Sequence, residues 1–272
     1  MNSPSGLIIT PDLMRRVGEI EVAYTQSRMR VLERIPSNPV GIEFLKLDGA
    51  VTALLARNLP SPGFNSVFGL HPRHERLIKP LIDWYRAHNA TGRFVMEPRN
   101  YTQALGRAFT RLDYSPSGLH AIFVREVGLV EPATDDVDVE TVTLGVLEDY
   151  LDVYVAGWGI PERDQEQFKA NVRPWLHQPG WRLYLARVER KPAAEAILYL
   201  DNGGAYCADA ATHPAWRRHG LQAALLRRRI HDAEALGADF ICGGADYPSA
   251  SYRKMERAGM RLLALRTIWT PQ

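Results

Sequence analysis

Residues 212–229 read THPAWRRHGLQAALLRRR, five arginines and one glycine set around the start of an apolar-periodic run. Leu221, Leu225, Leu226, Ile230, Ala233 and Leu236 recur on or near one face, so the periodicity predicts a helix from about position 217 to 236. Arg227, Arg228 and Arg229 fall mainly off that stripe and read as a solvated face. The turn ahead of the helix is different. Pro214 ends a predicted strand, and Arg217, Arg218, His219 and Gly220 lead into the first helical turn. Backbone N–H groups there have no acceptor within the helix, and the helix dipole favours an anion. Glycine lets backbone approach a ligand closely, and arginines add charge-assisted hydrogen bonds. A pyrophosphate suits such a turn.

Outward from this stretch, the chain reads as alternating strands and helices. On its C-terminal side DFICGGA (239–245) is a strand, PSASYRKMERAG (248–259) a helix and LLALRTIWT (262–270) a strand. On its N-terminal side VDVETVT (137–143) is a strand, followed by two helices over 144–159 and 163–177 and three strands over 181–190, 192–200 and 204–212. An acidic, turn-rich stretch between Gly128 and Asp138 suits a linker. Before it come a helix over 11–34, strands at 41–47, 50–57 and 64–70, a helix over 74–89 despite Pro80, a strand at 93–98, a helix over 100–114 capped by Asn100, and a closing strand at 119–126. Both halves end strand, helix, strand, helix, strand, which predicts a mixed α/β protein with an internal structural duplication. The expected domains are residues 1–127 and 137–272.

Composition narrows the function. With 272 residues, 46% hydrophobic and 24% charged, the chain has the material for two modest cores, and no apolar run approaches the ~18 residues of a membrane span. The N-terminus carries no basic leader, so a cytoplasmic protein is expected. Cys207 and Cys242 lie in apolar strands and read as buried reduced thiols, with no metal-ligand spacing. His71 and His74, in HPRH, have no further ligand cluster and read as a solvated loop; no metal is expected. A net charge of +2 is too small to argue for nucleic acid as a partner, and the arginine-rich helix lacks interleaved aromatics, so no nucleic acid is expected.

Two common phosphate-binding signatures, Gly-x-x-x-x-Gly-Lys-Ser/Thr and Gly-x-Gly-x-x-Gly, are absent. The order strand, proline, Arg-x-x-Gly, helix instead resembles the acetyl-CoA-binding motif of the GNAT superfamily of N-acetyltransferases, Gln/Arg-x-x-Gly-x-Gly/Ala. Arg217 and Gly220 match it and Gln222 departs from it. A subgroup with a Gly-x-Gln-x-Ala-Leu-Leu helix accommodates that departure through Gln222, Ala224, Leu225 and Leu226, and Ser251, Arg257 and Gly259 match its second element. Lys254 stands where asparagine is expected and Met260 where phenylalanine is expected. The first half resembles the same fold more faintly: at its corresponding turn, VFGLHPRHERLIKPL, Gly69 precedes the proline and no Arg-x-x-Gly follows.

The resemblance implies two GNAT-like domains in tandem, of which 137–272 carries the acetyl-CoA site. The implied reaction is direct attack of an amine on the thioester. Cofactor contacts are implied at Ala210, Ala211 and Thr212, where a backbone donor meets the oxyanion, at Arg217, Arg218, His219, Gly220, Leu221 and Gln222 for the phosphates, and at Ser251. The family's usual acid, a tyrosine, falls at Met255, and Tyr252 one turn earlier is the candidate replacement. Asp209 and Glu195, on neighbouring strands, are the candidate bases, with Asp209 slightly ahead. Tyr154 and Trp158 correspond to the acceptor-lining region, with Tyr150 and Gly159 beside them. The acceptor is a small-molecule or peptide amine, and a monomer and a homodimer are both compatible with the duplication. A non-catalytic acyl-CoA-binding module is the alternative reading.

Overall fold

A computed structural model of the protein describes residues 8–59, 62–126 and 137–272. Residues 128–136 of the expected linker lie outside the described residues. In chain order the elements are α1 (Pro11–Glu33), β1 (Ile42–Leu47), β2 (Val51–Ala56), β3 (Ser66–Phe68), α2 (Ile78–Ala87), β4 (Arg93–Met96), α3 (Gln103–Thr110) and β5 (Tyr114–Glu126). They continue with β6 (Asp138–Thr141), α4 (Leu147–Gly157), α5 (Glu162–Val172), β7 (Trp181–Val188), β8 (Lys191–Asp201), β9 (Gly204–Thr212), α6 (Leu221–Ala235), β10 (Phe240–Tyr247), α7 (Ala250–Arg257) and β11 (Arg261–Pro271).

The chain forms two compact units that interleave along the sequence. The first comprises Gln26–Ile122, Ala245–Tyr252 and Ala264–Gln272; the second comprises Met1–Thr25, Phe123–Gly244 and Arg253–Leu263. The first unit pairs β1 with β2 and β2 with β3 antiparallel, β3 with β4 parallel, and β4 with β11 antiparallel through Thr267–Trp269. Helix α2 makes the crossover between the parallel strands and buries Ile78, Leu81, Ile82 and Tyr85, an i, i+3, i+4, i+7 stripe. Pro80 is tolerated because it lies in the first turn, where an N–H has no intrahelical acceptor to lose. The expected cap of the next helix is corrected: Thr102, not Asn100, caps α3, accepting from the Leu105 N–H at 3.3 Å. Asn100 is buried and donates to the Leu70 carbonyl. The core is closed by Trp269 stacked on Phe109, with ring centroids 4.9 Å apart.

The second unit pairs β6, β7, β8 and β9 antiparallel in sequence order, and α6 carries the chain over to β10, which runs parallel to β9. Its path β7-β8-β9-α6-β10 repeats β1-β2-β3-α2-β4 of the first unit, so the architecture is mixed α/β with the duplication expected from the element order. Trp181 packs against Tyr24, Trp175 and Tyr199 at centroid distances of 5.1, 5.3 and 6.0 Å, forming an aromatic core. Cys207 and Cys242 are buried free thiols. Among the described residues no helix is long and apolar enough to cross a membrane, and no group of three or more His, Cys, Asp or Glu side chains converges as a metal site. His74 is buried, contrary to the solvated loop expected there: its Nδ1 accepts the His71 N–H at 3.1 Å.

Candidate active site

Strand β9 is irregular in a way that alternation alone does not encode. Ala196 of β8 faces Ala210 of β9, but Leu198 faces Cys207, so Ile197 is opposed by both Ala208 and Asp209. That two-against-one count is a β-bulge. On the other side of β9, pairing with β10 runs from Gly204 opposite Phe240 to Cys207 opposite Gly243 and stops, while β9 continues to Thr212. The bulge and the parting of the parallel strands therefore coincide. Residues 208–212 extend beyond the β10 ladder and carry main-chain groups on that edge. The small residue at 243 belongs to this fork, since a Cβ there would lie 3.2 Å from the Cβ and carbonyl oxygen of Cys207 and from Cε of Met255.

Glu195 sits beside the bulge, on β8 opposite Ala211, and is fully buried at 0% exposure. Both of its oxygens are used. The Tyr150 hydroxyl donates to Oε2 and the Trp158 indole N–H donates to Oε1, each at 3.1 Å. These donors come from α4 and its C-cap at i and i+8, one face of a helix, with Tyr154 between them, edge-on to Trp175 at 5.7 Å. Gly157 lets the end of α4 lie on β9: a Cβ there would be 2.8 Å from the Ala211 Cβ and 3.3 Å from the Thr212 nitrogen. Trp158 is 48% exposed, so its ring reaches the surface while its N–H faces the buried carboxyl.

Burial pushes the Glu195 carboxyl up to about 8, and the charge of Asp209 adds to the shift. The hydrogen bonds from Tyr150 and Trp158 and the field of Arg229 oppose it. Burial also pushes the Tyr150 hydroxyl well above its ordinary value, with Glu195 contributing, so the carboxyl is the member of this pair that titrates near neutrality. Asp209, half-buried, lies within the bulge itself.

From Thr212 the chain enters the turn that leads into α6. Gln222 donates its side-chain amide to the Thr212 hydroxyl at 3.0 Å, tying the end of β9 to the first turn of α6. Between them lie a 3-10 turn at Pro214–Trp216, exposed Arg217, Arg218 and His219, and Gly220, the N-cap of α6. His219 Nδ1 lies 3.2 and 3.0 Å from the Trp216 and Arg217 carbonyl oxygens. Gly220 has φ of 74°, a conformation that favours glycine, and an added Cβ would meet nothing within 4 Å. A left-handed glycine facing open space, a helix N-terminus and two exposed arginines fit a pyrophosphate. The predicted helix start moves from 217 to Leu221 because the preceding residues form this turn.

The second unit thus gathers Glu195, Asp209, Ala210, Ala211, Thr212, Tyr154, Trp158 and the 217–222 turn. Ser251 and Tyr252 belong to the first unit, on α7, where the Tyr252 N–H donates to Ser249 Oγ at 3.0 Å and its ring meets Tyr247 edge-on. The solvated face expected for the three arginines of α6 is corrected. Arg228 is half-buried and bonds Asp232 at 2.9 Å, and Arg229 is only 4% exposed. Arg229 was legible in principle, because it follows Leu225 by four residues and extends the apolar stripe.

Residues 124–249 match the family model described as an acetyltransferase (GNAT) domain. No curated protein matches the chain. Among solved structures, a GCN5-related N-acetyltransferase from Kribbella flavida is 16% identical with a TM-score of 0.63, covering 92% of this chain and 94% of that one. One from Sphaerobacter thermophilus is 17% identical with a TM-score of 0.62, covering 83% and 81%. A tandem GNAT protein from the clavulanic acid biosynthesis pathway is 13% identical with a TM-score of 0.57, covering 93% and 95%. At these identities the likeness is one of fold. Residues 124–249 are thus similar to a GNAT acetyltransferase domain, and the fold of the chain is like that of a tandem GNAT protein.

Proposed function

We propose that the protein is an acetyl-CoA-dependent N-acetyltransferase that moves the acetyl group to a primary amine by direct attack, with its single cofactor site in 137–272. The coincidence of the β9 bulge, the parted β9–β10 edge and the buried Glu195 beside them is the observation that carries this reading. The pyrophosphate is assigned to the turn from Arg217 to Gln222, and the thioester carbonyl to the backbone donors of Ala210 to Thr212. An ammonium of pKa about 10 must lose a proton before it attacks. Glu195, with its carboxyl near 8, receives that proton through water, and Asp209 contributes the neighbouring negative charge. The neutral amine nitrogen bonds to the carbonyl carbon and loses its second proton to water as the carbon–sulfur bond breaks, and the thiolate, of pKa about 8.5, takes a proton assigned to Tyr252, which the phenol regains from solvent. Ser251 is assigned to the cofactor, exposed Trp158 to the acceptor and buried Tyr154 to the support of that wall.

Residues 1–127 are proposed as a GNAT-like domain without a cofactor site. In the turn corresponding to 213–222, the imidazole of His74 folds back onto the His71 N–H, so that donor is already used within the protein. A second reading, an acyl-CoA-binding module without turnover, is favoured by Met255 at the position of the family's acid. The two part on one experiment: release of free thiol from acetyl-CoA, followed with a panel of amines. Amine-dependent release that falls about 100-fold or more in Glu195→Gln supports the transferase. Tight acetyl-CoA binding without release for any amine supports the module.

A further inference from the structure

Arg229 projects from α6 into the bulge. Its Nε donates to the Leu225 carbonyl at 3.2 Å, and one terminal nitrogen donates to two carbonyls on adjacent strands, Ile197 at 3.1 Å and Ala208 at 3.2 Å. Both residues lie inside the β8–β9 register shift, between the Ala196–Ala210 and Leu198–Cys207 pairs. Among the described residues no carboxylate lies within ion-pair distance of this guanidinium, although it is 4% exposed. Burying a cation without an anionic partner is costly, and leucine or methionine would complete the α6 stripe without that cost. The arginine instead satisfies main-chain oxygens that a bulge leaves out of the regular ladder.

We propose that Arg229 is a positioning residue, holding the β9 bulge and supplying the positive field that lets the buried Glu195 carry charge. The groups acting on Glu195 are Tyr150 and Trp158 from the α4 side, Asp209 from β9 and Arg229 from α6. Arg229 is the cation among them. It also acts on Tyr184 of β7 and Cys207 of β9. The catalytic consequence rests on the transferase reading, whereas the electrostatic claim does not.

The test is therefore made without substrate. In the full-length protein carrying ¹⁵N-labelled tryptophan, the indole N–H signal of Trp158, assigned by its loss in Trp158→Phe, reports the charge of Glu195 through their hydrogen bond. The wild-type signal is expected to titrate with a midpoint near 8. Arg229→Met should move the midpoint up by about one pH unit or more, and Arg229→Lys, which keeps the charge, should leave it near the wild-type value. An unmoved midpoint in Arg229→Met, with the other indole signals intact, overturns the proposal. If Arg229→Met does not fold, the lysine variant decides. Its shorter, single-headed side chain should speed amide exchange at Ala208–Ala210 while the midpoint stays, and unchanged exchange overturns the proposal. A wild-type protein that titrates as described but neither binds nor consumes acetyl-CoA removes the transferase reading and leaves this one standing.

Discussion

At the residue scale, the site turns on one carboxyl. The sequence offers Asp209 and Glu195 as strand carboxylates, and its apolar setting on the central strand puts Asp209 slightly ahead. The choice between them depends on which is covered, and that is set by α4 lying over β8, a tertiary fact absent from the strand's own pattern. Because the folded state holds the Glu195 proton up to about 8, against an ordinary value of 4.5, it binds more protons than the unfolded chain between those limits. Stability from this group is therefore full below about 4.5 and lost as pH rises towards 8. Glu195→Gln should remove that slope and raise alkaline stability by several kcal/mol at most, which denaturant unfolding at pH 6 and pH 9 would read. In turnover, kcat/KM of the wild type should rise with pH to a midpoint near 8, and the glutamine variant should lose that limb. A wild-type profile flat from pH 6 to 9 would remove Glu195 as the base.

At the element scale, the helices and strands followed their periodicities, and the departures lay where tertiary partners decide. The bulge in GAYCADAAT is a matter of register between β8 and β9, so no property of that segment alone announces it. Arg229 reads as solvent-facing because the arginine run falls mainly off the leucine stripe, while the sheet carbonyls that receive it are more than twenty residues upstream. Gly157 is a further element-level constraint. A valine there would force α4 away from Ala211 and Thr212, costing about 1–3 kcal/mol and loosening the Tyr150 and Trp158 bonds to Glu195. Thermal unfolding and the Trp158 indole signal would register both effects, and a variant as stable as wild type with an unmoved signal would contradict the close approach.

At the scale of the whole molecule, the duplication could be read from the order of elements, but the interleaving could not. Residues 264–272 fold with the first unit, where Thr267–Trp269 extend the β4 ladder and Trp269 stacks on Phe109. Nothing in LLALRTIWT distinguishes that destination from the unit its neighbours in sequence join. Trp269→Ala should accordingly destabilise the first unit by about 3–5 kcal/mol, seen as an earlier denaturant transition in circular dichroism. An unchanged transition would mean that the C-terminal strand does not complete that core.

The central proposal at this scale is that the chain carries two copies of one fold and one acetyl-CoA site, placed at the turn before α6. Calorimetric titration of the full-length protein with acetyl-CoA, beside Gly220→Glu, tests it most directly. One site per chain is predicted, with binding lost in the variant and its circular dichroism unchanged, because the glutamate strains the left-handed turn at 220 and puts bulk and negative charge where the pyrophosphate would lie. Absence of heat in the wild type, two sites per chain, or undiminished affinity in the variant would contradict it.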